Sequence, residues 1–194
     1  SSDTSITVST ALTTQGPIQA YITASYQYGV AFDTGATDCL VQACTFQNLS
    51  FDAMYLVGSR HIVEDCTFTA IGGWDVIHFG GADHIVRDNT FKDSPYIVYS
   101  PSADVWENLS AVNYSNILFS GNFISNFAGV IAVQKGSATS TGLQIKNNIF
   151  VDVGLIALTH PNTSIQNNTF LRVSRNQSAV VARSDRAIYV NETT

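Results

Sequence analysis

Three stretches of the chain carry an aspartate followed three residues later by a polar, titratable side chain: FDAMY (51–55), WDVIH (74–78) and ADVWE (103–107). Aligned, they place Asp52, Asp75 and Asp104 in one column and Tyr55, His78 and Glu107 in the next. Carboxylates stacked about 5 Å apart on neighbouring strands repel, so one pKa rises while another stays low. The result is one protonated acid beside one ionised base or nucleophile, which is what glycoside hydrolysis uses. A separation of one coil suits a retaining pair, and two coils, about 10 Å, suit inversion. The expected acid/base pair is Asp75 and Asp104, with His78 and Glu107 supporting it. Trp74 and Trp106 flank the row as platforms for sugar rings, with Tyr55 beside them. The same aspartates also fit a plainer role, opening strands and bonding turn amides. A carboxylate column with turn carbonyls suits calcium too, although no GGxGxD repeat is present.

Lys135 and His160 follow similar strands (IAVQK and IALTH) and form a second candidate row, a cation and a base for an acidic sugar. The plainer reading is that both are solvated turn residues. His61 and His84 share a turn column and read as a stacked structural pair. The chain has three cysteines. Cys44 and Cys66 occupy one repeat column, so they sit about 5 Å apart, either as small buried hydrophobes or as a disulfide. Cys39 is left over, and no Cys/His spacing suits zinc. N-x-S/T sequons occur at Asn48, Asn108, Asn113, Asn162, Asn167, Asn176 and Asn191. That is seven where chance gives about 3, an excess that points to secretion and glycosylation. Turns rich in Asn and Thr generate such sites as well.

These side chains depend on a scaffold, and the scaffold is a repeat. Six segments align: LVQACTF (40–46), IVEDCTF (62–68), IVRDNTF (85–91), LFSGNFI (118–124), QIKNNIF (144–150) and SIQNNTF (164–170). Each ends in Phe46, Phe68, Phe91, Ile124, Phe150 or Phe170. Five residues earlier stands an apolar residue, from Val41 and Val63 through Val86, Phe119 and Ile145 to Ile165. Two residues before each end stand Cys44, Cys66, Asn89, Asn122, Asn148 and Asn168. The spacings of 22, 23, 33, 26 and 20 residues leave no room for a full helix in each unit, and the internal period is two. Further strands precede several units, at 29–32, 53–56, 75–79, 129–133 and 154–158. Gly129 and Gly154 are aligned there as the point where the acidic row stops.

The xIxxNxTF and GVxL columns resemble those of the right-handed parallel β-helix, the pectate-lyase-like superfamily, over roughly residues 29–170. The resemblance implies an all-β, single-domain solenoid of about 7–8 coils. Its inward Phe, Val and Ile columns form the core, and its inward Asn residues ladder from coil to coil. Residues 1–28 are expected to form a cap or irregular first coil. Residues 29–194 are expected to form the solenoid, with an insertion at 94–110 that raises one wall of a groove. The ADVWE stretch also resembles a His-x-Asp-Val/Gly-x-Gln motif of some carbohydrate-active β-helix proteins, matched here by Ser102, Asp104, Val105 and Glu107. The His and Gln of that motif are absent.

Composition narrows the classes. The chain has 194 residues, 45% hydrophobic and 11% aromatic, so it can fill a core, yet only 12% are charged. Disorder and charged helical bundles are excluded on that balance. A net charge of −6 argues against nucleic acid as a partner. No apolar run is long enough for a membrane helix. No leader precedes Ser1, as expected of a mature secreted form or a trimmed chain. The chain stops at NETT after a strand-like AIYV, as expected of a piece of a longer protein or of an end that stacks on a partner. Two functions follow as expectations. One is an extracellular or cell-surface carbohydrate-active protein acting on polysaccharide without a cofactor, as a glycoside hydrolase or lyase. The other is a non-catalytic structural or adhesive subunit that stacks end to end.

Overall fold

The computed structural model describes residues 7–8, 29–49, 52–72, 76–94, 114–132, 141–158, 162–173 and 188–190. Every element among them is a strand, a turn or a bend. One sheet stacks six parallel strands: Cys44–Gln47, Thr67–Thr69, Thr90–Ser94, Phe123–Ala132, Ile149–Leu158 and Thr169–Leu171. A second stacks Leu40–Gln42, Ile62–Glu64, Ile85–Arg87, Leu118–Ser120, Gln144–Lys146 and Ser164–Gln166. A third pairs Val30–Phe32, Met54–Leu56 and Ile77–Phe79, again parallel. The chain is therefore a parallel β-solenoid. Among the described residues two sheets have six rungs each and the third has three, about four turns of solenoid against the seven or eight coils expected. Ile188–Val190 adds one more strand by pairing with Ile156–Leu158.

The three repeat columns are in register without a slip. Phe46, Phe68, Phe91, Ile124, Phe150 and Phe170 pair in that order. Val41, Val63, Val86, Phe119, Ile145 and Ile165 do the same. The reason is alternation: in a strand such as Cys44–Gln47, Cys44 and Phe46 point inward while Thr45 and Gln47 face out. Stacking then brings like on like. Phe46, Phe68 and Phe91 stack with nearly parallel rings, centroids 4.9 and 4.8 Å apart.

Left-handed backbone recurs at each of three corners, and Gly58 and Gly81 add a further positive φ in two coils. The first corner column runs Asp38, Arg60, Asp83, Asn116, Gly142 and Asn162. The second runs Ala43, Asp65, Asp88, Gly121, Asn147 and Asn167. The third runs Asn48, Ala70, Asp93, Asn126, Asp152 and Arg172. Asn, Asp and Gly dominate because they tolerate positive φ at least cost. At Gly121 the tolerance is steric as well, since a Cβ there would overlap the Asp88 carboxylate. Exposed ion pairs clamp two of these columns across one rung, Arg60 to Asp38 at 2.6 Å and Arg172 to Asp152 at 2.7 Å. The hydrogen bonds from Arg60 hold the Asp38 carboxyl down to about 2.

Behind the second corner runs the asparagine ladder. Asn89 N–H and Nδ2 donate to Asn122 Oδ1 at 2.9 and 3.1 Å. Asn122 repeats this toward Asn148 at 2.9 and 3.1 Å, and Asn148 toward Asn168 at 2.8 and 2.9 Å. The second Nδ2 proton of Asn89, Asn122, Asn148 and Asn168 goes to the carbonyl of Val63, Val86, Phe119 and Ile145 respectively. Each buried amide thus satisfies the backbone at a bend where ladder bonds are interrupted.

At the N-terminal end of the column the cysteines replace asparagine. All three cysteines are buried free thiols, so no Cys44–Cys66 disulfide is formed. Cys44 and Cys66 adopt the same arrangement, each S–H donating at 3.2 Å to the carbonyl two residues earlier, Gln42 and Glu64. The two thiols are also in hydrogen-bond contact with each other across the rung. Burial pushes the Cys66 thiol up to about 12 and raises Cys44 and Cys39 as well. Thr7–Val8 pairs antiparallel with Cys44 and Thr45, covering the outer edge of the first sheet at that end.

Candidate functional site

The third sheet carries the part of the candidate row that lies among the described residues. Strands Met54–Leu56 and Ile77–Phe79 bury Met54, Leu56, Ile77 and Phe79 and turn Tyr55 and His78 outward. Register pairs Tyr55 with His78 as the alignment anticipated. Their rings are 5.0 Å apart and tilted by 33°. Burial and the negative charge of Asp33 raise the Tyr55 hydroxyl above its ordinary range. The phenol is therefore neutral at physiological pH, able to donate or accept a hydrogen bond on a half-exposed face. Sequence reasoning passed over Asp33. It follows Phe32 at the end of its strand, so alternation turns it outward, and it is exposed beside Tyr55. The signal was available in GVAFDT, where an Asp follows the last inward residue of the strand.

Asp52 does not belong to an outward row. It is 3% exposed, because it enters the strand immediately before the buried pair Ala53 and Met54. Trp74, Asp75, Asp104, Trp106 and Glu107 lie outside the described residues. So do Lys135 and His160, and the inserted residues 95–110. The strands leading to Lys135 and His160 differ by one residue from the alignment. Gly129 pairs with Leu155, not Gly154, and the same offset of 26 continues to Ala132 and Leu158. The cause is the unbroken register from the Ile124–Phe150 column through the corner at Asn126 and Asp152.

Of the sequons, Asn48, Asn162 and Asn167 are exposed and each occupies a left-handed corner. Asn162 Nδ2 donates to Thr141 Oγ1 at 3.2 Å. Asn108, Asn113, Asn176 and Asn191 lie outside the described residues.

His61 and His84 form the stacked pair expected of them, with ring centroids 5.0 Å apart and planes 8° apart. They are fully buried. Among the described residues no group of three or more His, Cys, Asp or Glu is placed to hold a metal ion. Among them, too, no helix is long and apolar enough to cross a membrane.

A family model described as a right handed beta helix region matches residues 18–190. No curated protein and no solved structure matches the chain.

Proposed function

The chain belongs to the right-handed β-helix family, and from that premise we propose a carbohydrate-active protein, extracellular or at the cell surface, that holds a polysaccharide across its third sheet. The observation that carries the reading is Tyr55 in register with His78 on an outward face, two ring side chains one rung apart. A sugar chain crossing parallel rungs meets such rings at about the spacing of its own residues, and the ring faces stack on the apolar faces of sugars. Asp33 beside them supplies an acceptor for sugar hydroxyls. In this reading Trp74 and Trp106 extend the platform. Asp75 and Asp104 act as acid and base with Glu107 in support, and Lys135 and His160 attend an acidic sugar. Fold alone does not specify chemistry, so the reaction is assigned by the product.

The test is release of new reducing ends and of unsaturated products from neutral and acidic polysaccharides, wild type beside Asp104→Asn. Cleavage that disappears in the variant supports the carboxylate pair, and the product separates hydrolase from lyase. Equal cleavage by both removes Asp104 from the mechanism. Retention of the polysaccharides with no cleavage by either leaves a binding protein.

A structural, end-to-end reading has one observation in its favour. The last described rung of these columns leaves Ile165, Asn168 and Phe170 only half-buried. The opposite end is a poor match for it. Cys44 stands there in the asparagine column, and Thr7–Val8 covers the sheet edge.

A further inference from the structure

The position just before the first five strands of the second sheet is filled in turn by Cys39, His61, His84, Ile117 and Leu143, all buried, and before the sixth by the half-buried Thr163. The fourth and fifth rungs use aliphatic side chains there, and the second and third use imidazoles. The imidazoles are bonded at both nitrogens. His61 Nδ1 accepts the Cys39 N–H at 3.2 Å, and His84 Nδ1 accepts the His61 N–H at 3.2 Å. His61 Nε2 lies 2.8 Å from the Val57 carbonyl, and His84 Nε2 lies 2.7 Å from the Gly80 carbonyl. A backbone N–H only donates and a carbonyl only accepts. Both rings are thereby fixed as the neutral tautomer with the proton on Nε2.

We propose that this histidine column is an acid-sensitive seam that opens the corner ahead of the second sheet in the early coils while the asparagine ladder at the next corner stays closed. A proton added at Nδ1 points straight at the N–H that Nδ1 had been accepting, so two donors face each other in an apolar interior. The surroundings do not compensate. Phe32 stacks on His61 at 4.7 Å and Phe79 on His84 at 6.3 Å. The charged groups acting on the pair are Asp38, Arg60 and Asp83 at the neighbouring corner, and Asp38 is already held by Arg60. The column's remaining titratable member is Cys39, whose S–H donates to the Thr37 carbonyl at 3.4 Å. Two cations stacked 5.0 Å apart would also repel each other. Val57 and Gly80 each follow Tyr55 and His78 by two residues, so loosening the seam reaches the candidate binding face.

The sign follows from burial. Desolvation lowers His61 and brings His84 down to about 4 from an unfolded value of 6.5. The open form therefore takes up protons that the closed form refuses, and opening becomes easier as pH falls from 6.5 toward 4. For His84 alone the opening constant rises on the order of a hundredfold across that window.

Residue-resolved hydrogen exchange on the full chain, corrected for intrinsic rates and run from pH 7.5 to 4, tests the seam. The Cys39 and His61 amides are expected to lose protection by about that factor, while the Asn89 and Asn122 amides keep theirs. The His61→Asn/His84→Asn variant keeps an acceptor without a titrating group, and its protection at Cys39 should not change with pH. If that variant fails to fold, imidazole nitrogen shifts of the wild type read the same claim. Both rings must show Nε2–H and a bare Nδ1 at pH 6. Unchanged protection at Cys39, uniform loss along the asparagine ladder, or rings protonated at pH 6 would each overturn the proposal.

Discussion

Replacing Asn122 by leucine tests the reasoning about the ladder at its most loaded point. The volumes are similar, so the change removes hydrogen bonds without opening a large cavity. Asn122 Oδ1 accepts from Asn89 N–H and Nδ2, and its own Nδ2 donates to the Val86 carbonyl at 3.0 Å and to Asn148 Oδ1 at 3.1 Å. Two of the four losses are partly absorbed. Asn89 Nδ2 keeps Val63, and Asn148 Oδ1 keeps the Asn122 N–H. What remains is a buried Asn89 N–H with no acceptor and a Val86 carbonyl that has lost a donor. At about 1–3 kcal/mol for each unsatisfied buried group, the cost is about 4 kcal/mol. That is a large part of the 5–15 kcal/mol typical of a whole domain. Equilibrium urea unfolding followed by circular dichroism measures it, with the denaturant slope unchanged. A loss under about 1 kcal/mol would refute the view that the ladder holds the corner backbone.

The remaining predictions use other columns. Cys66→Asn should be neutral or stabilising, because Sγ already lies 3.6 Å from the Val41 carbonyl that a side-chain amide would reach, as the other rungs do; a clear drop in midpoint denaturant counts against the column logic. Phe68→Ala should cost about 3–5 kcal/mol, since its ring is sandwiched between Phe46 and Phe91 in a fully buried stack. Gly81→Ala should destabilise far more than Gly35→Ala, because a Cβ at Gly81 would overlap the Gly58 carbonyl whereas Gly35 faces open space; equal thermal midpoints would contradict the close approach. In the folded protein Cys66, pushed up to about 12 and buried, should resist alkylation at pH 8 until denaturant is added, as read by mass spectrometry.

The solenoid was legible because stacking repeats the chemistry of each inward column. A Phe must sit on a Phe and an amide must meet an amide, so the same letters recur at fixed offsets in the sequence. The asparagine column could be read from the CTF, NTF, NFI and NIF endings. The corners were half legible: Asp65, Asp88, Asn147 and Asn167 stand one residue before the inward column, yet Ala43 takes the same backbone without a telling side chain. Outward residues obey no such rule. Asp52 looked like a member of a surface row and is buried, and the equation of Gly129 with Gly154 failed by one residue because small residues carry no register. Tyr55 and His78 aligned because their strands carry large inward neighbours that fix the pleat.

The central claim is that a polysaccharide lies across the Tyr55–His78 face. Titrating the full chain with soluble oligosaccharides from several neutral and acidic polymers, following the His78 ring and Tyr55 resonances, tests it directly. The account predicts saturable shifts at both residues with at least one sugar class, weakened tenfold or more in Tyr55→Ala. Saturable binding that leaves both resonances and the Tyr55→Ala affinity unchanged would contradict it.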